Sequence, residues 1–112
     1  VMYMGSKIYY AKPDVIGDLM MGLDFVRGHA SELYVSLMAH DLDKTHAFVR
    51  EVEIYDLDEI YYKFQAEIWS HEGEAAGLIR ALGLNHTSMS IGDIVQKDGV
   101  YYFCDFSGWS LL

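Results

Sequence analysis

The segment GLNHTSMSIGDIV, residues 83–95, decides how the C-terminal half of the chain folds. Gly83 follows Leu82, the last residue of an apolar helical pattern, and a glycine there is a typical helix stop. Small and polar side chains then lead to Gly92-Asp93. This pair suits the start of a strand, because Gly permits a bulge and Asp bonds nearby amides. The segment therefore predicts a helix before it and a strand, through Ile94-Val95, after it.

Two consecutive helices are predicted upstream, over about residues 56–69 and 73–82. Asp56 can cap the first helix, and Glu59 lies three residues further on, as in a capping box. Four apolar residues recur at helical spacing and are expected to face the core: Leu57, Ile60, Phe64 and Ile68.

Downstream, the pattern predicts a three-stranded antiparallel meander that begins at the strand entry. Lys97-Asp98-Gly99 supplies a tight turn, since the Asp-Gly pair tolerates positive φ. Residues 100–106 return as the second arm, Ser107-Gly108 turns again, and residues 109–112 form a last short strand.

The N-terminal part is less regular. Residues 7–11 read as a short strand ended by Pro13, and residues 14–21 as a short helix. Residues 30–40 fit a helix, but a strand through residues 33–37 fits equally well, because short apolar runs are ambiguous by periodicity.

Residues 45–55 are predicted to form a strand, with Phe48, Val52 and Ile54 on one face, which Arg50 interrupts. One buried and one mostly polar face is typical of an antiparallel sheet. Because strands and helices are segregated along the chain, we expect an α+β fold with an antiparallel sheet, which could also bend into a small barrel.

The composition excludes several classes of protein. With 112 residues, 52% of them hydrophobic, the chain is expected to form a single domain over residues 1–112. Its formal charge of −9 repels nucleic acid backbones, so direct nucleic acid binding is not expected. No membrane-length apolar run or signal peptide is recognised, and the single Cys104, read as a core residue, cannot form an intramolecular disulfide. These features predict a cytoplasmic protein without membrane contact.

The chemistry of residues 86–93 invites a hydrolase interpretation, because His86, Ser88 and Asp93 lie close together in sequence. The segment has no G-x-S-x-G elbow, and a triad is defined by three-dimensional geometry. The structural interpretation is that Thr87, Ser88, Ser90 and Asp93 bond backbone groups where a helix gives way to a strand. We favour the structural interpretation.

Two clusters of His and acidic residues are candidate metal sites: residues 40–46, and residues 71–74 together with His86. Neither has H-E-x-x-H spacing or an EF-hand loop. We expect no metal and no cofactor.

A longer pattern points to a family. FQAEIWSHEGEAAGLIR, residues 64–80, followed by GLNHTSMSIGDI, residues 83–94, resembles a family of small proteins from bacteria, phages and plasmids that has no established activity. The family pattern reads Q-x-E-x-W-S-x-x-G-E-A, then G-L-x-H-T-S-M-S-V-G-D-V, and an aromatic hairpin ending in Gly-Trp fits Gly108-Trp109. The resemblance covers residues 48–112.

The resemblance implies a candidate functional patch. Ile91 and Ile94 replace Val of the pattern, and His71-Glu72 replaces Pro-Asn, so this loop is expected to be less constrained. The matched polar residues bracket the two helices and the strand entry, and are expected to converge on one side: Gln65, Glu67, Trp69, Ser70, Glu74, Arg80, His86, Thr87, Ser88, Ser90 and Asp93.

Three functions follow from these observations. We favour a non-enzymatic protein-interaction or self-assembling module, of phage or mobile-element origin, whose partner is a protein or another copy of itself in a homo-oligomer. The alternatives are a small enzyme or ligand-binding protein with a polar site around His86, and an acidic decoy that mimics nucleic acid. A flat apolar patch would favour the first, and a deep polar pocket at His86 the second.

Overall fold

The computed structural model describes residues 5–112, which form a five-stranded antiparallel sheet and six helices. The sheet is open, so the α+β prediction is confirmed and the barrel alternative is wrong. Its strands follow the order β2-β1-β3-β4-β5, which places the predicted C-terminal meander, β3 to β5, at one side. The strands are β1 Ser6–Ala11, β2 His46–Val52, β3 Ile94–Lys97, β4 Val100–Asp105 and β5 Gly108–Leu111.

Helices cover both faces of the sheet. Neighbouring residues of β1 point to opposite faces, and Tyr10 belongs to one apolar cluster while Ala11 belongs to the other. The Ala11 cluster contains α1 Pro13–Leu19, α2 Leu23–His29 and α3 Ser31–Met38. The Tyr10 cluster contains the other three helices: α4 Leu57–Lys63, α5 Ala66–Trp69 and α6 Ala76–Ala81.

Of the two alternatives for residues 30–40, the helix is correct and the strand is wrong, because α3 occupies this segment. Leu37 is fully buried against the sheet, whereas Val35 is 65% exposed. With eight residues, α3 is the longest helix in residues 5–112, and none of the helices there is long and apolar enough to cross a membrane.

Strand β2 departs from the predicted alternation. Its register against β1 shifts, so that Ile8 pairs with Arg50 and Tyr9 with Phe48, and Val49 is the extra residue between them. The bulge turns Val49 into the core and places Phe48, which is 47% exposed, beside the Tyr9 ring. The prediction that Phe48 shares the inward face was therefore wrong.

The helix predicted over residues 56–69 is two helices. Asp56 caps α4 as expected, because its Oδ1 accepts from the Glu59 N–H at 2.9 Å. The chain then becomes extended at Gln65 (φ −77°, ψ 142°), and α5 starts on a new axis. Ile60 and Phe64 are buried as predicted, but the break leaves Ile68 41% exposed, so its inward placement was wrong.

The helix end and the tight turn predicted for the C-terminal half are both confirmed. Gly83 has φ +72°, and its N–H and that of Leu84 bond back to Arg80 and Ile79, which closes α6. The turn between β3 and β4 has positive φ at both Asp98 and Gly99, as a two-residue hairpin turn requires.

Candidate functional site

The carboxylate of Asp93 is the centre of the candidate site. It is fully buried, and it accepts hydrogen bonds from the backbone N–H groups of Ala11 and Ser90, each at 2.8 Å. The imidazole Nε2 of His86 lies 3.0 Å from Oδ1 and 2.9 Å from Oδ2. Burial raises the pKa of Asp93, and its hydrogen bonds to His86, Ala11 and Ser90 oppose that rise. One carboxylate thus ties β1 to the turn that precedes β3.

Gly92 sets the position of Asp93. Its φ is +103°, its N–H donates to the Cys104 carbonyl at 2.9 Å, and the Asp93 N–H bonds the Ser90 carbonyl at 3.0 Å. A Cβ at Gly92 would lie 2.7 Å from the Cβ of Leu19. Glycine is therefore needed here both for the backbone angle and for the close approach of α1.

A second histidine supports the same turn from β2. His46 is buried, its Nε2 lies 2.8 Å from the Gly92 carbonyl, and its Nδ1 lies 2.8 Å from the Thr45 hydroxyl. Because a carbonyl only accepts, Nε2 carries the proton and Nδ1 accepts from Thr45. Burial lowers the pKa of His46 to about 4, so the ring is neutral at pH 7.

His86 is less enclosed than its partner carboxylate. Its side chain is 17% exposed, and its ring stacks on Tyr10 with 4.6 Å between ring centroids. Nε2 faces Asp93, and Nδ1 makes no hydrogen bond within residues 5–112. The arrangement is an Asp–His dyad in which a partly exposed imidazole can donate to a buried carboxylate.

The polar groups of the residues that follow His86 form hydrogen bonds that hold this segment of backbone in place. The Thr87 carbonyl accepts from the Tyr10 hydroxyl at 2.8 Å and from the Trp69 indole at 3.0 Å. The Ser88 hydroxyl accepts from the Ala66 N–H at 2.8 Å and so supplies a hydrogen bond to the first residue of α5. These bonds hold residues 86–89 against α5 and β1.

Seven of the predicted patch residues come together in this network: Gln65, Trp69, His86, Thr87, Ser88, Ser90 and Asp93. The other four do not join it. Ser70 accepts from the Ala75 N–H and Glu74 from the Glu72 N–H, while Glu67 and Arg80 are exposed.

Sequence reasoning missed His46, Thr45 and the Ala11 amide as members of the site. In the sequence, His46 belongs to the first candidate metal cluster, residues 40–46. Its contact with Gly92 joins residues 46 positions apart, and the Ala11–Asp93 bond joins residues 82 positions apart. No spacing within a local motif can reveal such pairs.

The network does not form a Ser–His–Asp triad. The Ser88 hydroxyl accepts from a backbone amide, the Ser90 hydroxyl donates to the Ser88 carbonyl at 3.0 Å, and in the described residues neither is hydrogen-bonded to the His86 imidazole. Within residues 5–112, no three His, Cys, Asp or Glu side chains are grouped to hold a metal ion. His86 does not line any of four prominent surface cavities of the described chain.

Two of those cavities flank the turn between β4 and β5, and both are lined by Asp105, Phe106, Gly108 and Trp109. Phe106 is 67% exposed and Leu111 is 65% exposed. Strand β5 is the last strand of the sheet, and in the described part of the chain it pairs with β4 alone. We call β5 and the neighbouring side chain of Phe106 the β5 edge.

The opposite edge of the sheet differs. Strand β2 carries the bulge at Val49 and the charged residues Arg50 and Glu51, which are features that discourage pairing with another chain. Of the five strands in residues 5–112, β5 alone has no charged side chain. The two edges therefore offer very different surfaces to a partner.

No protein-family model matches the chain, and no curated protein or solved structure matches it either. Its function is therefore inferred from the Asp93 network and the β5 edge.

Proposed function

We propose that the protein is a non-enzymatic, self-assembling interaction module that associates through the β5 edge. The single observation that carries the proposal is the contrast between the two sheet edges: β2 is bulged and charged, whereas β5 is uncharged, contains the exposed Leu111 and lies beside the exposed Phe106. An unprotected edge is a template for strand pairing, and closed homo-oligomers are the commonest assemblies. The functional form on this proposal is a homo-oligomer.

The hydrogen bonding of residues 86–93 supports a non-enzymatic function. The Asp93 carboxylate accepts hydrogen bonds from Ala11, Ser90 and His86, and the hydroxyls of Ser88 and Ser90 are hydrogen-bonded to backbone groups. In this proposal the dyad holds β1, β3 and the helices in register.

The proposal extends to origin and location. The resemblance of residues 48–112 to phage, plasmid and bacterial proteins favours a phage or mobile-element origin. A cytoplasmic location fits a fold with one cysteine, Cys104, which is buried in the core as predicted. The charge of −9 favours a protein partner over nucleic acid.

Light scattering at micromolar concentration tests self-assembly. We expect the wild-type protein to have at least twice the monomer mass of 12.8 kDa. Leu111→Lys should return the mass to that of the monomer, because two buried ammonium groups would face the apolar contact. Val35→Lys is the matched control, since Val35 on α3 is equally exposed at 65% and lies outside the β5 edge.

Three outcomes would contradict the proposal. A wild-type mass of 12.8 kDa would remove self-assembly. A loss of assembly in both lysine variants would show that the effect is one of general charge. An unchanged assembly in Leu111→Lys would move the contact away from β5. Circular dichroism of each variant confirms that it is folded.

A further inference from the structure

We infer that the occupant of the β5 edge is the β5 strand of a second copy, paired antiparallel about a two-fold axis that passes through Ser110. This inference rests on the proposed function, because it specifies the partner and the register of the same surface. The result is a closed dimer with a continuous sheet of ten strands.

The backbone of β5 presents an alternating set of groups. The Leu112 N–H donates to the Tyr101 carbonyl at 3.0 Å, so this pair is hydrogen-bonded across the β4–β5 ladder. Cys104 uses its N–H and its carbonyl, each at 2.9 Å, to bond the turn before β3. It therefore cannot exchange hydrogen bonds with Trp109, its partner in register. Since such pairs alternate in an antiparallel ladder, the backbone groups of Trp109 and Leu111 point away from β4.

These outward groups select the register. With Ser110 opposite Ser110 of the partner subunit, Trp109 of each chain lies opposite Leu111 of the other. All four outward N–H and carbonyl pairs are then used, giving four hydrogen bonds between the chains. A register centred on Trp109 would place Leu111 against Ser107, which lies in the turn before β5.

The side chains agree with this register. Trp109 packs on the cluster of α4 to α6, and Leu111, two residues further on, faces the same side of the sheet. Leu111 of each chain, 65% exposed in the monomer, would be covered by the partner's indole. An aromatic residue opposite an aliphatic one is a favourable cross-strand pair.

Charge explains why the occupant is β5 and not β2. Pairing β5 with β2 of another copy would be heterologous, and β5 would meet the bulge at Val49 together with Arg50 and Glu51. At a formal charge of −9 per chain, two copies repel each other, and the uncharged Gly108–Leu111 strand brings the fewest like charges together. The self-paired dimer uses the strand of lowest charge on both sides.

Cross-linking through an introduced cysteine tests the register. In a non-hydrogen-bonded pair the Cα atoms lie about 4.5 Å apart, which suits a disulfide. Ser110→Cys should therefore form a disulfide-linked dimer when copper phenanthroline and dissolved oxygen accept the two electrons and two protons of the thiols. The Leu111→Cys control should stay mostly monomeric without reductant, because the two Leu111 positions would be separated by more than about 7 Å.

Ser110→Ala serves as a second variant, because replacing Ser110 also removes its 2.7 Å hydrogen bond to Asp105. We expect this variant to keep the wild-type mass by light scattering, which would show that the hydroxyl is not needed for assembly. Loss of assembly in Ser110→Ala would overturn the proposed interface geometry.

The remaining outcomes separate this inference from the proposed function. A wild-type dimer in which Ser110→Cys cross-links no better than Leu111→Cys would overturn the register while self-assembly stands. A wild-type protein of 12.8 kDa would overturn both. A preferential Ser110→Cys cross-link in a wild-type dimer supports both.

Discussion

Replacing Asp93 by Asn tests the role of the buried carboxylate. Asp93 accepts from the N–H groups of Ala11 and Ser90 through different oxygens, and from His86 through both. An amide keeps one oxygen, so its NH₂ group must face one of the two backbone N–H donors. His86 can adapt by changing tautomer and accepting from the amide, but a backbone N–H cannot.

The expected loss of stability follows from the one backbone N–H that the amide leaves without an acceptor. One buried backbone donor left without an acceptor costs about 1–3 kcal/mol, and the exchange of charge-assisted for neutral hydrogen bonds adds to it. Relief of the desolvated charge offsets part of the loss, so we expect Asp93→Asn to lower the free energy of unfolding by about 2–4 kcal/mol at pH 7.

Urea unfolding followed by circular dichroism measures this cost, and Asp98→Asn is the matched control. Asp98 is exposed in the β3–β4 turn at φ +52°, a position where Asn is well tolerated, so its change should be within about 0.5 kcal/mol. A cost below about 1 kcal/mol for Asp93→Asn would refute the idea that this carboxylate holds β1 to the turn before β3.

Three further predictions concern stability and are measured by denaturant unfolding. Gly92→Ala should cost about 1–3 kcal/mol more than Gly83→Ala, because both have positive φ but only the former meets Leu19; equal costs would contradict the close approach. Wild type should lose about 3 kcal/mol of its stability advantage over His46→Gln between pH 7 and pH 4, since the pKa of His46 is lowered from 6.5 to about 4 in the fold and the unfolded chain takes up the proton first. An advantage independent of pH would show that the folded and unfolded chains take up this proton equally, so that burial does not lower the pKa of His46. Phe64→Ala, at a site 3% exposed, should cost about 3–5 kcal/mol, and a loss below about 1 kcal/mol would mean that its face is misplaced.

Short sequence motifs correctly predicted the structural features that depend only on neighbouring residues. The Asp56 cap, the Gly83 stop and the Asp98-Gly99 turn each depend on residues within a few positions of one another, and each is present in the structure. For the same reason the meander and the α+β class could be predicted from the sequence.

The features that sequence reasoning missed depend on distant partners. Helicity is broken at Gln65, where its side chain and the next amide bond Met89 and Ser88, more than 20 positions away. The apolar period continues to Ile68 as if the helix were unbroken, so the pattern alone could not show the interruption. The bulge at Val49 likewise depends on the register between β1 and β2.

The position of β1 between β2 and β3 also has a consequence for biosynthesis. The hydrogen bond from the Ala11 N–H to Asp93 joins residues 82 positions apart, and β1 meets β3 over a similar separation. During translation β1 and β2 can pair early, but the second edge of β1 has no partner until β3 leaves the ribosome. Contacts of this sequence separation slow folding, because a long loop must close before they form. We expect the nascent chain to expose one unpaired edge of this central strand until β3 emerges, which would favour binding by ribosome-associated chaperones.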